Sequence, residues 1–306
     1  MKILLLGANG QVGFELARSL APLGELVCAT RSGTLAGGAP CLTADLAESA
    51  SLASALDSTR ADVIVNAAAY TAVDRAEDES VLAQRINAQA LAEIGAHAAS
   101  HNALAVHYST DYVFDGAGSR PYRENDATAP LGVYGRSKRD GENALRASGC
   151  DHLILRTAWV YAARGHNFLH TMLRLARERD DLRVVGDQRG APTTARLVAA
   201  ATTLALGRLL ARRAGEREKL LGTYHLCAAG QCTWFDFAGA IFARALAAGL
   251  IARAPRLVPI STTEYPTRAR RPAYSALDCS KIRDAFGLHL PDWRNGLDAV
   301  IGELAG

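Results

Sequence analysis

The stretch Lys2-Ile-Leu-Leu-Leu-Gly-Ala-Asn-Gly-Gln-Val-Gly13 joins a short apolar run to three glycines at the spacing G-x-x-G-x-x-G. Apolar residues then recur at helical spacing as far as Leu20. Strand, glycine turn and helix in this order are typical of a dinucleotide-binding unit. Gly7 allows the tight turn, Gly10 lets the backbone approach a pyrophosphate, and Gly13 lets helix and strand pack closely. Free amides at the helix N-terminus then favour phosphate, so we expect a nucleotide here.

The next apolar segment, Glu25 to Thr30, predicts a second strand that ends in Thr30-Arg31-Ser32. A NAD site usually has an acidic residue at this point, whereas an arginine suits the 2′-phosphate of NADPH. We therefore favour NADPH, with NADH as the alternative, since Arg31 could equally be a solvated loop residue. Asp45 and Leu46, after another short apolar segment, are expected to border the adenine.

Strands and helices continue to alternate along the first half of the chain, which predicts an α/β fold with a doubly wound, Rossmann-like parallel sheet. Small residues follow one strand at Ala69-Tyr70-Thr71 and leave room for a cofactor at the carboxyl edge of the sheet. The further predicted strands are Asp62 to Asn66, Ala103 to Tyr108 and His152 to Arg156, and the predicted helices are about Asp74 to Ser100 and Tyr134 to Ala147.

After Trp159 the alternation loosens, and a smaller C-terminal α/β lobe is expected to bind the substrate. We assign residues 1–165 to the dinucleotide-binding domain, with about 190–222 returning to it. Residues 166–189 and 223–306 are assigned mainly to the second lobe, which ends in an amphipathic helix from Trp293 to Leu304.

Tyr134 and Lys138 lie four positions apart on a predicted helix, so their side chains share one face. A nearby ammonium favours the phenolate and lowers a tyrosine pKa from its usual value of about 10. A phenol tuned in this way can exchange a proton near neutral pH. Basic charge is otherwise carried almost wholly by arginine, because the chain has four lysines only. This scarcity slightly favours a specific role for Lys138.

Two further polar groups have candidate roles in binding. Thr110 and Asp111 follow a buried strand, in the crevice where open α/β sheets bind ligands. Arg268 and Arg271 belong to a proline-rich basic loop and could hold a diphosphate, because guanidinium groups match phosphate bidentately. A solvated surface loop is the alternative for the arginines. The eight histidines show no metal-ligand spacing and receive no role.

Composition excludes several other classes of protein. The net charge is +3 over 306 residues, which argues against a dedicated nucleic-acid binder. No apolar run reaches membrane-spanning length and no signal-peptide pattern opens the chain. The six cysteines form no CxxC pair and are expected to be free thiols in a reducing cytoplasm. A cytoplasmic enzyme that neither enters a membrane nor binds nucleic acid is therefore expected.

The glycine turn, the run Ser109-Thr-Asp-Tyr-Val-Phe114 and Tyr134-x-x-x-Lys138 together resemble the extended short-chain dehydrogenase/reductases, which act mostly on nucleotide-activated sugars. Within that group the chain is similar to the dTDP-4-dehydrorhamnose reductases along its whole length. The motifs that carry this narrower resemblance are Gly10-Gln-Val-Gly13, Asn66-Ala-Ala-Ala-Tyr-Thr-Ala-Val-Asp74, His107 to Phe114, Arg156-Thr-Ala-Trp-Val-Tyr161, Gly190-Ala-Pro-Thr193 and Pro266 to Pro272.

The resemblance implies an oxidoreductase that reduces the C4 ketone of dTDP-4-dehydro-L-rhamnose with NAD(P)H, the last step of dTDP-rhamnose synthesis for cell-surface polysaccharide such as O-antigen. It implies that Tyr134 donates the proton, that Lys138 lowers its pKa and holds the nicotinamide ribose, and that Thr110 binds the sugar carbonyl oxygen. Asp111 and Trp159 are placed at the substrate. The implied cofactor positions are Gly10, Gln11, Val12, Asp45, Leu46, Ala69, Tyr70 and Thr71.

The resemblance also leaves alternatives open. Some members are homodimers bridged by Mg²⁺ through glutamates, and Glu15 and Glu303 stand at plausible positions for such a site. A sugar-nucleotide epimerase or dehydratase on the same fold would hold NAD tightly and return the hydride. A non-catalytic regulatory subunit would keep the fold and bind NADP, although Thr110, Tyr134 and Lys138 argue against that reading.

Overall fold

The computed structural model describes the backbone of residues 1–306 and every side chain except that of Ala214. Its centre is a seven-stranded parallel sheet of the expected doubly wound, Rossmann-like type. In spatial order the strands are β11 (Gly222–His225), β6 (His152–Thr157), β5 (Leu104–Thr110), β4 (Val63–Asn66), β1 (Lys2–Leu6), β2 (Glu25–Thr30) and β3 (Leu42–Thr43).

Helices cover both faces of this sheet because its strands are apolar on both faces. In β1, Ile3 and Leu5 contribute to one core and Leu4 and Leu6 to the other, and all four side chains are fully buried. The first face carries α1 (Gln11–Ser19), α7 (Ala195–Leu210) and α10 (Ser280–Phe286), and the second carries α2 (Ser49–Thr59), α4 (Ala90–Ser100) and α5 (Val133–Ala147).

The predicted helix from Asp74 to Ser100 is not continuous. A 3-10 turn at Arg75–Glu77 and the short helix α3 (Ser80–Gln84) lead into a π-helical turn at Arg85–Gln89, and only then does α4 begin. The alanine-rich pattern gave no sign of this interruption, because alanine is compatible with every turn of the segment. The π-helical turn positions Asn87, whose role at the site is described below.

The second lobe has its own core, formed mainly by aromatic and aliphatic side chains of three helices, Phe168–Glu178, Trp234–Ala247 and Trp293–Ala305. Two-stranded sheets accompany it, one of them the parallel pair of β8 and β13. Its elements are β7 (Val160–Tyr161), α6 (Phe168–Glu178), β8 (Asp181–Val185), β9 (Arg189–Gly190), β10 (Thr193–Thr194), β12 (Cys232–Thr233), α9 (Trp234–Ala247), β13 (Arg256–Ile260) and α11 (Trp293–Ala305). The short helix α8 (Ala214–Arg217) lies beside the large sheet, where Arg217 pairs with Asp151.

The division into residues 1–165 with 190–222, and 166–189 with 223–306, stays a prediction. Two elements beyond residue 222 nevertheless pack on the large sheet: β11 pairs with β6 as far as His225, and α10 buries Ile282 and Phe286 in the core beside α7. Among the described helices none is long and apolar enough to cross a membrane.

Candidate active site

The glycine turn after β1 is packed too closely for any larger residue at two of its three positions. Gly7 has φ +81°, and a Cβ there would lie 2.7 Å from the amide nitrogen of Ala68. A Cβ on Gly13 would lie 2.0 Å from the carbonyl oxygen of Gly7. Gly10 is the N-cap of α1 and offers no side chain to its first amides. The turn therefore presents free backbone N–H groups to an anion, which fits a dinucleotide phosphate.

Gln11 and Val12 begin α1 directly after this turn. The side-chain amide of Asn167 donates a 2.8 Å hydrogen bond to Gln11 Oε1, which joins the turn to the start of α6 in the second lobe. Gln11 is therefore held by both lobes.

A side chain that the sequence did not single out fixes the loop beside the turn. Asn9 donates to the carbonyl of Thr34 and accepts from the N–H of Ala36, both at 2.8 Å. Arg31 begins this loop and is exposed, and Thr30 is buried at the end of β2. Arg31 is thus available to a ligand at the edge of the sheet, whereas Thr30 is not.

Asp45 and Leu46 follow β3 at the same edge, with Leu46 buried and the Asp45 carboxylate accepting from the N–H of Ala47 at 2.9 Å. They lie beside the loop that contains Arg31, which is consistent with the prediction that they border the adenine.

Ala69, Tyr70 and Thr71 follow β4 and are fixed by Asn87. Its side-chain oxygen accepts from the N–H of Tyr70 at 2.9 Å, and its amide nitrogen donates to the Tyr70 carbonyl and to Ser137 Oγ, each at 3.0 Å. Asn87 therefore ties the expected cofactor segment to the helix that carries Tyr134 and Lys138. No sequence pattern marked it, because its effect depends on the π-helical turn.

Tyr134 and Lys138 lie on α5, where Lys138 is buried and Tyr134 is half-buried, but they are not joined in the way their spacing predicted. Lys138 Nζ donates to the Tyr108 carbonyl at 2.6 Å and lies 3.1 Å from Nε2 of His107. Burial raises the pKa of Tyr134 to about 12, although the Thr110 hydroxyl lowers it in part. Burial also lowers the pKa of Lys138 to about 7, against a smaller opposite effect of Glu142. The expected lowering of the Tyr134 pKa by Lys138 is absent, because the lysine is directed at β5.

Thr110 and Asp111 stand where β5 ends and are both buried. The Thr110 hydroxyl donates to Asp111 Oδ1 at 3.0 Å and accepts from the N–H of Tyr112 at 3.2 Å. Burial raises the pKa of Asp111 to about 6, with hydrogen bonds acting in the opposite direction. Thr110 thus links Asp111 to Tyr134, and the three form one polar group at the carboxyl edge of the sheet.

Trp159 follows β6 with a left-handed backbone at φ +48°. Its ring lies parallel to that of Trp234, with the ring centroids 3.5 Å apart and the planes 6° from parallel. A Cβ on Gly190 would lie 2.5 Å from the Trp159 ring, so Gly190 makes space for the indole. Trp234, at the start of α9, is a second aromatic residue here that the sequence did not mark. The pair forms a flat apolar surface in the second lobe.

The two arginines predicted to bind a diphosphate are held by carboxylates of a distant segment. Arg271 donates to Asp74 at 2.8 Å, and Arg268 forms an ion pair with Asp78. We call these four residues the clasp. The same segment also touches α5, because Glu77 accepts a 2.8 Å hydrogen bond from the N–H of Val133. A bound diphosphate would have to compete with Asp74 and Asp78 for the arginines.

The residues proposed for Mg²⁺ do not fit that ion. Arg196 lies between Glu15 and Glu303, with its Nε 3.5 Å from one carboxylate and its Nη2 2.5 Å from the other. A single guanidinium already pairs with both carboxylates and offsets one of their two negative charges. Within the described part of the chain, no group of three or more His, Cys, Asp or Glu residues could hold a metal ion. We derive no role for Mg²⁺.

Comparison with known proteins agrees with this arrangement. The family model described as the RmlD substrate binding domain matches residues 1–305. The chain is 47% identical to a dTDP-4-dehydrorhamnose reductase of Burkholderia thailandensis, with 99% of both chains covered. This chain belongs to the dTDP-4-dehydrorhamnose reductase family. A second member, from Escherichia coli K12, is also 47% identical and covers 99% of this chain and 98% of its own.

A solved structure of a family member shows the same fold with a cofactor. The Bacillus anthracis dTDP-4-dehydrorhamnose reductase in complex with NADP superimposes with a TM-score of 0.84, at 32% identity and 99% coverage of both chains. The predicted fold and family are therefore confirmed. The individual site residues stay predictions that the geometry supports.

Proposed function

We propose that this chain reduces the C4 ketone of dTDP-4-dehydro-L-rhamnose to dTDP-L-rhamnose with NADPH. The observation that carries the proposal is the meeting of Thr110, Tyr134 and Lys138 at one sheet edge, beside a glycine turn with free amides. The chain is also 47% identical, over almost its full length, to curated reductases of this name. Its six cysteines, all described, are free thiols, which supports the cytoplasmic location expected from the sequence.

The cofactor would be held by residues along the carboxyl edge of the sheet. Gly7, Gly10 and Gly13 shape the pyrophosphate turn, and Arg31 is placed for a 2′-phosphate. NADH remains the alternative cofactor. When bound, the reduced nicotinamide supplies the hydride for the carbonyl carbon.

The protein's own contribution is to stabilise and protonate the carbonyl oxygen. Negative charge develops on that oxygen in the transition state, and donors aimed at it lower the barrier. The Tyr134 phenol supplies one such donor, and the Thr110 hydroxyl supplies a second when it turns from Asp111 Oδ1 towards the carbonyl oxygen. Because the pKa of Tyr134 is raised to about 12, its phenol is protonated at neutral pH and can transfer the proton that completes the alcohol.

Substrate specificity is assigned to the second lobe. The stacked rings of Trp159 and Trp234 offer an apolar platform for a base or sugar face. Arg268 and Arg271 stay candidates for the diphosphate, on condition that the clasp opens. Asp111, buried beside Thr110, adds a further polar group at the carboxyl edge of the sheet.

The test is to follow NADPH and NADH oxidation by absorbance with enzymatically prepared dTDP-4-dehydro-L-rhamnose. Oxidation matched mole for mole by dTDP-rhamnose is expected, and the two rates give the cofactor preference. Conversion of a sugar nucleotide to an isomer or a dehydrated sugar, without net cofactor consumption, would instead indicate an epimerase or dehydratase. Protein that binds NADPH but neither oxidises it nor forms product would indicate the regulatory subunit.

A further inference from the structure

The loop between β7 and α6 belongs to the second lobe but rests on the start of α1, next to the dinucleotide turn. Gly165 packs on the side chain of Gln11, because a Cβ on this glycine would lie 3.1 Å from Gln11 Cγ. The guanidinium of Arg164 stacks on the ring of Phe14, with its Cζ 3.2 Å from the ring centroid. Asn167 completes the contact through its 2.8 Å hydrogen bond to Gln11. The predicted site included Gln11 but none of these three residues of the second lobe.

Three backbone groups fix the side-chain amide of Asn167, which is the N-cap of α6 and only 7% exposed. Its oxygen accepts from the backbone N–H of His170 at 3.1 Å. Its nitrogen donates to the carbonyls of Ala162 at 2.9 Å and Arg164 at 3.3 Å. A backbone N–H can only donate and a carbonyl can only accept, so these contacts allow a single orientation of the amide. The nitrogen, and not the oxygen, therefore faces Gln11.

This orientation determines which end of the Gln11 amide meets Asn167. Because Asn167 presents a donor, the atom of Gln11 at 2.8 Å is the acceptor, Oε1. The amide nitrogen of Gln11 is then directed away from Asn167. The Gln11 side chain is half-buried, and no residue in the described part of the chain accepts a hydrogen bond from this nitrogen. Its two N–H groups are therefore available to a ligand.

The surroundings of this nitrogen favour an anion. Gln11 is the first residue of α1 and follows the N-cap Gly10. The backbone N–H groups of this first turn have no partner within the helix, and they carry the positive end of its dipole. The first turn has no acidic side chain, and Arg164 brings an exposed positive charge to Phe14 in the next turn. A side-chain donor here adds to the backbone donors for a phosphate group.

We propose that Asn167 of the second lobe positions the Gln11 side chain, so that the Gln11 amide nitrogen donates to the pyrophosphate of the bound dinucleotide. Asn167 is then a positioning residue, and the affinity for the cofactor depends on the second lobe. This role rests on the proposed function, because it requires a nicotinamide dinucleotide to bind at the turn. Without Asn167 the Gln11 amide is free to rotate and to present its oxygen, which a phosphate repels.

The first test is the binding of NADPH and of NADH, which share the pyrophosphate, measured by fluorescence titration. Gln11→Met keeps the length of the side chain and removes the donor, so the dissociation constants should rise at least about tenfold, the value of one hydrogen bond to a charged group. Asn167→Ser keeps an N-cap oxygen for α6 but is too short to reach Gln11. The expected rise is about threefold to tenfold, because the Gln11 side chain must then be ordered on binding.

Three comparisons separate positioning from damage to the second lobe. Asn167→Ser should have no further effect on cofactor affinity in protein that already carries Gln11→Met. Thr171→Ala is the matched control, because its hydroxyl donates to the Asn167 carbonyl within α6, and it should leave the affinity unchanged. The chain has five glutamines, so ¹⁵N NMR resolves their side-chain amides, and the Gln11 signal is assigned by its loss in Gln11→Met. This signal should move when wild-type protein is saturated with the cofactor.

The contrary results are equally defined. Cofactor affinity of Asn167→Ser within twofold of wild type would overturn the proposal, and so would effects of the two substitutions that simply add. A Gln11 side-chain amide signal that stays in place at saturating cofactor would also overturn it. Wild-type protein that binds neither NADPH nor NADH would instead contradict the proposed function, so the two failures are distinguishable.

Discussion

The carboxyl edge of the sheet and the clasp both carry charged side chains, yet in opposite physical settings. At the edge, Asp111 and Lys138 are almost fully buried, and their pKa values move towards the uncharged forms. In the clasp, Arg268 and Asp78 are more than half exposed and pair with each other. Burial thus makes side chains that can donate or accept a proton near neutral pH. Exposure instead gives ion pairs in which another anion can take the place of the carboxylate.

The largest effect is expected at the buried edge. Tyr134→Phe removes the proton donor while preserving the ring, and turnover should fall by about 10²- to 10⁴-fold. NADPH affinity, measured by fluorescence titration, should remain within a few-fold. Tyr112→Phe is the control, since that ring packs edge-on against Tyr134 with centroids 5.6 Å apart. Turnover of Tyr134→Phe within a few-fold of wild type would remove this residue as the acid.

Asp111→Asn tests the cost of burying a charge at the same edge. The folded-state pKa is about 6, above the reference of 3.8, so the folded protein binds the proton more tightly than the unfolded chain. Stability should therefore fall as the pH rises from about 4 to 6 and stay level above that. Asparagine removes this dependence, and urea unfolding at pH 7 should show a gain of up to about 3 kcal/mol. A loss of stability at pH 7 would show that the hydrogen bonds to this carboxylate outweigh the cost of its burial.

The clasp should respond in binding more than in stability. Arg271→Ala is expected to raise the KM for the dTDP-sugar about tenfold, because a bidentate phosphate contact is lost. The free energy of unfolding should change by no more than about 1 kcal/mol. Arg183→Ala is the control, since that arginine pairs with Glu264 on the surface of the second lobe. An unchanged KM would make Arg271 a structural residue only.

The smallest effect is expected at the exposed Arg31. Arg31→Ala should reduce the preference for NADPH over NADH a few-fold, because the guanidinium pairs with the 2′-phosphate in solvent. The ratio of kcat/KM for the two cofactors measures it, with Arg60→Ala as a control on another loop. A preference that is untouched would show that the 2′-phosphate is recognised elsewhere.

The sequence predicted those parts of the site that follow from local patterns. The strand–glycine–helix unit, the ends of β4 and β5 and the pair Tyr134 and Lys138 follow from short spacings, and the structure brings them to one edge. It did not predict that Lys138 would turn away from Tyr134 towards His107. The direction of the Lys138 side chain depends on the pairing of β4 with β5, which places His107 opposite Asn66.

Other features were missed because their partners are far apart in the chain. Asp74 and Arg271 are separated by almost 200 positions, and nothing in either segment indicates the other. Trp234 lies 75 positions beyond Trp159, so the stacked pair exists only after the second lobe has folded. Asn87 reaches Tyr70 and Ser137 because it lies on a π-helical turn. An alanine-rich sequence does not reveal such a turn.

The stacked indoles also make the molecule optically unusual. The chain has three tryptophans, and Trp159, Trp234 and Trp293 all contribute to the core of the second lobe. Two parallel rings 3.5 Å apart couple their electronic transitions, so circular dichroism should show an exciton couplet that Trp234→Phe abolishes. Intrinsic fluorescence excited at the tryptophan band will accordingly report on the core of the second lobe, where all three tryptophans pack.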